Sequence, residues 1–122
     1  MTKRILVVED QVDNRQILRD LLVSADYEMT EAENGEEALA AVAKQRPDLI
    51  LMDIQLPIMD GYEATRRIKA NPAWKDIPII VVTSYALSGD EAKARDAGCD
   101  AYVTKPYSPR ALLAKIREYM PK

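Results

Sequence analysis

Four short patches of this chain hold side chains able to do chemistry: Glu9-Asp10, Asp53, Thr83-Ser84 and Thr104-Lys105-Pro106. The chain has no histidine and a single cysteine, Cys99, so imidazole acid–base catalysis is excluded and a Cys/His zinc site lacks its ligands. What the patches offer is three carboxylates, hydroxyls and one ammonium. Carboxylates gathered in one place repel one another, and a bound cation is the cheapest relief. An all-oxygen set completed by a backbone carbonyl and waters suits Mg²⁺, which takes octahedral geometry at roughly 2.1 Å. An aspartate in such a site can act as a nucleophile and form an aspartyl phosphate. Mg²⁺ and Lys105 would then neutralise charge growing on the phosphoryl oxygens. Singly, each patch has a plainer explanation: Asp53, Glu9 and Asp10 as turn or cap acids, Thr83 as a β-branched strand residue, Lys105 as a solvated charge. The chemistry requires a fold that brings them together.

The elements that would do so are legible in the hydrophobic pattern. Apolar or alternating runs at Ile5 to Val8, Tyr27 to Ala32, Leu49 to Met52, Ile77 to Val82 and Ala101 to Val103 predict five strands. Between and after them lie five helices, each preceded by a cap signal. These are Asp13-x-x-Gln16, Asn34-x-x-Glu37, Asp60-x-x-Glu63, Ser88-x-x-Glu91 and Ser108-Pro109. Alternating strands and helices make repeated βαβ units, hence a parallel sheet covered on both faces. The second strand, with Glu28, Thr30 and Glu31, belongs at an edge; the first and third are the most uniformly apolar and belong in the centre. The expectation is a doubly wound, flavodoxin-like (βα)5 α/β fold with strand order 2-1-3-4-5. Ligands of such sheets bind at the carboxyl ends of the strands, where all four patches fall.

Composition narrows the function classes. With 122 residues, the chain suffices for one domain, and residues 1–122 are expected to form it without an output domain. The chain is 48% hydrophobic and 30% charged, as globular proteins are. Net charge is −3 and no basic patch interleaved with aromatics is present, so the footprint of nucleic-acid binding is missing. Cys99 reads as a small buried hydrophobe and a lone cysteine suits a reducing compartment. The apolar start after Lys3-Arg4 is cut short by Glu9-Asp10, too early for a signal peptide, and no run reaches transmembrane length. A cytoplasmic location without membrane contact is expected.

The pattern Glu9-Asp10, Met52-Asp53-x-x-x-Pro57-x-x-Asp60-Gly61, Thr83-Ser84 and Lys105-Pro106 resembles the receiver domain of two-component response regulators, over essentially the whole chain. The resemblance is closest to single-domain regulators of chemotaxis and, through Asp53-Ile54-Gln55-Leu56-Pro57 and Gly98-Cys99-x-Ala101-Tyr102, of the cell cycle. It implies that Asp53 is the phosphoacceptor. It also implies that Glu9, Asp10, Asp53 and the backbone carbonyl of Gln55 hold Mg²⁺ directly or through water, and that Thr83 and Lys105 contact the phosphoryl oxygens. Thr83 would move inward on phosphorylation and Tyr102 would rotate into the vacated space, altering the surface of the fourth helix, fifth strand and fifth helix. Gln55 and Tyr85 would flank the path of the hydrolytic water, and the bond before Pro106 would be cis. Asp60 reads as a cap of the third helix rather than as a metal ligand.

The resemblance further implies a histidine kinase or histidine phosphotransfer protein as donor, approaching Gln11 to Arg15 and Pro106-Tyr107. An output protein would read the switch surface, and the chain itself would not be a conventional turnover enzyme. Other readings remain. A receiver module cut from a larger kinase or regulator would look the same. An aspartate-nucleophile phosphatase would place a second aspartate where Gln55 stands, and a flavodoxin-type cofactor binder would carry a Gly-rich loop where Glu9-Asp10 stands.

Overall fold

The computed structural model describes residues 2–83, 90–105 and 107–120. The elements are β1 (Arg4–Val8), α1 (Val12–Ser24), β2 (Glu28–Ala32), α2 (Gly35–Lys44), β3 (Leu49–Met52), α3 (Gly61–Ala70), β4 (Ile79–Thr83), α4 (Asp90–Ala97), β5 (Ala101–Thr104) and α5 (Pro109–Tyr119). The strands pair in parallel in the order β2-β1-β3-β4-β5. This is the expected flavodoxin-like α/β sheet. The polar strand, β2, lies at one edge, while β1, β3 and β4 are buried almost throughout.

Alternation along the strands sends side chains to two cores. One, with Leu6, Ile50 and Val81, packs under α2, α3 and α4 through Ala38, Val42, Ala64, Ile68 and Ala94. The other, with Val7, Leu51 and Val82, packs under α1 and α5 through Leu18, Leu22, Leu112 and Ile116. Cys99 joins the first as the buried hydrophobe expected, and burial pushes its thiol up. No helix among the described residues is long and apolar enough to cross a membrane.

Cap signals position most helices as predicted. Asn34 accepts from the Glu37 N–H and Asp60 from the Glu63 N–H, both at 2.9 Å. Ser108 accepts from the Ala111 N–H at 3.3 Å, with Pro109 at the first helical position. α1 differs. It begins at Val12 behind Gln11, which makes no side-chain cap bond, and Asp13 lies inside the first turn. There its negative charge opposes the positive end of the helix dipole. Gln16, the other half of the expected capping box, bonds forward to Asp20 instead. The fourth strand starts two residues later than predicted, at Ile79, because the Ile77 N–H is taken by the Trp74 carbonyl in the preceding turn. The expected cap at Ser88, Ser84, Tyr85 and the Pro106 bond lie outside the described residues.

Candidate functional site

Register sets the site. Val8 pairs with Met52, and the Asp53 N–H carries the ladder on by donating to the Val8 carbonyl at 3.0 Å. Glu9 and Asp53 therefore leave adjacent central strands at one level. Across β4, Thr83 pairs with Thr104, and the Lys105 N–H donates to the Thr83 carbonyl at 2.7 Å. α3 then starts hard against β3's exit: Gly61 donates to the Ile54 carbonyl at 3.0 Å, and a Cβ on it would run into the Asp53 carbonyl oxygen. Only glycine lets the helix begin so close beneath the aspartate.

Glu9, Asp10 and Asp53 each offer a carboxylate oxygen within 4.8 Å of the others. Lys105 Nζ donates to Glu9 Oε1 at 2.9 Å and to Asp53 Oδ2 at 3.2 Å. The second oxygens are also engaged: the Gln11 N–H donates to Glu9 Oε2 at 3.1 Å and the Gln55 N–H to Asp53 Oδ1 at 3.2 Å. Glu9 is 3% exposed and Asp53 8%. Burial works against the Lys105 ammonium, but the Glu9 hydrogen bond and the Asp53 and Glu9 charges outweigh it, so its pKa is raised. The cleft above these groups has a volume of about 410 Å³ and is lined by Glu9, Asp10, Gln11, Asn14, Asp53, Gln55 and Lys105.

Of the residues picked from sequence, Glu9, Asp10, Asp53, Gln55 and Lys105 thus share one cleft. Thr83 does not line it; it is fully buried at the end of β4, one backbone hydrogen bond from Lys105. Tyr102 pairs with Val81 and packs half-buried against the core under α2–α4, the sheet face to which alternation also assigns Thr83. Asp60 caps α3 and stands outside the acid cluster. Gln11 and Asn14, expected only as part of the donor-facing stretch Gln11 to Arg15, also line the cleft. Their spacing of three puts both on one side of α1's first turn, a signal that becomes readable only once the helix is known to start at Val12.

The donor set fits a hard divalent cation. The cleft's ionisable ligands are carboxylates, and three of them against one ammonium leave a formal excess of two negative charges. With a cation held by the three acids on one side and Lys105 on the other, the charge of a phosphoryl group would be neutralised from two sides while one carboxylate attacks.

Comparison with known proteins agrees with this geometry. Residues 5–117 match the response regulator receiver domain family. The polar-differentiation response regulator DivK of Brucella anthropi is 42% identical over 120 residues, covering 98% of each chain. A putative response regulator from Chloroflexus aurantiacus J-10-fl superposes with a TM-score of 0.95 at 30% identity, covering 100% of both chains. The receiver domain of a sensor histidine kinase from Pseudomonas aeruginosa PAO1, solved with magnesium coordinated in its active-site cleft, superposes with a TM-score of 0.92 at 35% identity, again over 100% of both chains. The chain belongs to the response regulator receiver domain family.

Proposed function

We propose that the chain accepts a phosphoryl group on Asp53 from a phosphohistidine donor, with Mg²⁺ bound, and signals through changed protein contacts. The observation that carries this reading is the meeting of Glu9, Asp10 and Asp53 within 4.8 Å, with Lys105 bonded to two of them. A bound magnesium ion supplies charge neutralisation at the phosphoryl oxygens, held by Glu9, Asp10, Asp53 and the Gln55 carbonyl. The match to a receiver solved with magnesium in its cleft supports that assignment.

In the transfer itself, an Asp53 oxygen forms the new P–O bond as the donor's P–N bond breaks, and the imidazole leaves with the electron pair. The Gln55 N–H holds one Asp53 oxygen and Lys105 the other, which restricts the carboxylate's rotation before attack. Lys105 then turns from the carboxylate to the phosphoryl oxygens, and the Thr83 hydroxyl moves inward to meet them. Movement of Thr83 on the face it shares with Tyr102 is the means by which the added charge reaches the surface of α4, β5 and α5. A histidine kinase or histidine phosphotransfer protein would approach past Gln11 to Arg15 and Tyr107, and the output protein would read the α4–β5–α5 surface. Receiver domains of this family are generally not conventional enzymes, and a cytoplasmic single-domain regulator is the setting this reading supports.

The test is incubation with Mg²⁺ and acetyl phosphate followed by intact-mass measurement. Wild type should gain the mass of one phosphoryl group and Asp53→Asn none; an equal gain by the mutant, or none by wild type, overturns the reading.

A further inference from the structure

We propose that Arg15 is a positioning residue for Asp10, and that the acids at the end of β2 act on the cleft through it; this rests on the reading of the cleft as a cation site. Asp10 lies in the short connection between β1, which ends at Val8, and α1, which begins at Val12. Among the described residues, no ladder or helix bond of those elements fixes the peptide that precedes it. Arg15 does so: its Nη1 donates to the Glu9 carbonyl oxygen at 2.8 Å. That carbonyl belongs to the planar peptide joining Glu9 to Asp10. Holding its oxygen therefore places the Asp10 N and Cα, and with them the point from which the Asp10 carboxylate leaves the backbone, so that only rotations within Asp10 itself remain to aim it.

The guanidinium is itself held. Its Nε donates to Glu31 Oε1 at 3.0 Å, Glu33 Oε1 lies 3.9 Å from Nη1, and the side chain is only 12% exposed. The Glu9 N–H meanwhile donates to the Ala32 carbonyl at 3.0 Å. Both main-chain groups of Glu9 are thus tied to the same end of β2, one directly and one through Arg15. The planar fork of arginine suits this bridge, since separate N–H groups must face a carbonyl on one side and a carboxylate on the other. Lysine, a point charge with no fork, cannot span it in the same geometry.

Removing positive charge near an acid cluster, taken alone, strengthens its hold on a cation. Loss of positioning does the opposite, so the sign of the effect separates the two. The probe is Mn²⁺, followed by its electron paramagnetic resonance signal, on wild type, Arg15→Lys, Arg15→Ala and Glu31→Gln, with Arg19→Ala as control. Arg19 also pairs with Glu31 but makes no bond to Glu9. Both Arg15 variants should bind Mn²⁺ about tenfold more weakly, as loss of a group that orients a metal ligand does. Glu31→Gln should weaken binding less and Arg19→Ala leave it within about twofold of wild type. Thermal unfolding of each variant shows whether it is folded at the binding temperature, and Arg15→Lys keeps the charge and stem if Arg15→Ala does not fold. Unchanged or tighter binding by Arg15→Lys overturns the proposal and leaves the cation site standing. No Mn²⁺ binding by wild type overturns the cation site and the proposal together.

Discussion

Lys105 bridges Glu9 and Asp53, two carboxylates that lie deep in the fold, 3% and 8% exposed. Taking the ammonium away leaves both without their cation, and such a loss in a buried pair costs about 3–5 kcal/mol. The Lys105 side chain is 22% exposed, so water can take up part of that cost and about 1–3 kcal/mol is expected here. Lys105→Met should therefore lower the urea midpoint measured without divalent ions. Added Mg²⁺ should raise the midpoint more in the mutant than in wild type, because the ion and the ammonium serve the same oxygens. The pKa of Lys105 is raised by folding, so its stabilisation is complete below the ordinary value of 10.5 and is lost only as pH climbs through the raised value. At neutral pH the comparison reads all of it. A Mg²⁺-induced shift no larger in Lys105→Met than in wild type would show that the lysine does not compete for the site.

At the scale of elements, what the sequence made legible was whatever local chemistry decides. Asn34, Asp60 and Ser108 cap their helices because a short polar side chain reaches the N–H three residues on, whatever the rest of the fold does. The place of Asp53 at the end of its strand was legible locally, as an apolar run ending in an acid. Alone it reads as a turn or cap acid, and only the residues ending the other strands mark it as part of a site. The start of α1 was not, since Asp13 offers the same local signal while the chain, leaving β1 at Val8, turns into helix two residues sooner. Arg15 was hidden for the same reason: its reach to the Glu9 carbonyl exists only with that start. The end of α1 was equally unreadable. Asp26 sits at φ 68°, the Tyr27 N–H donates to Leu22 and the Asp26 N–H to Val23, both at 3.0 Å. This is the left-handed helix termination that glycine usually signals, here with aspartate in its place and Tyr27 packed beside Leu22 in the same core. Asp26→Gly should remove the left-handed cost of roughly 1–2 kcal/mol while adding freedom to the unfolded chain worth about half as much. A net gain of about 0.5–1 kcal/mol is expected, read as a higher thermal midpoint with unchanged phosphorylation by acetyl phosphate. A lower midpoint would mean that Asp26 makes a stabilising contribution larger than its strain.

Taken as a whole, the molecule separates two tasks between the two ends of one sheet. The carboxyl ends of the strands gather buried like charges in the cleft, a destabilising arrangement that function requires. The amino ends hold a satisfied network instead. Asp100, just before β5, accepts from Lys69 Nζ at 2.9 Å and from the Ile79 N–H at 2.8 Å through one oxygen, and its carbonyl accepts from the Tyr119 hydroxyl at 3.0 Å. Lys69 Nζ also donates to the carbonyls of Ile77 at 2.7 Å and Lys75 at 3.0 Å. One cluster thus joins the last turn of α3, the starts of β4 and β5, and the end of α5. Asp100→Ala would leave the Ile79 N–H, on a fully buried residue, without its acceptor, and would strip Lys69 of its counter-charge. The expected cost is about 1–3 kcal/mol, mostly the orphaned N–H. Because the sheet lies between this network and the cleft, Mn²⁺ affinity and acetyl phosphate reactivity of the folded mutant should match wild type. The two ends are then energetically separable, and the check is to measure both properties on one preparation below its unfolding transition. A mutant that loses Mn²⁺ affinity in step with stability would show instead that the amino-end clasp holds the strand register on which Glu9 and Asp53 depend.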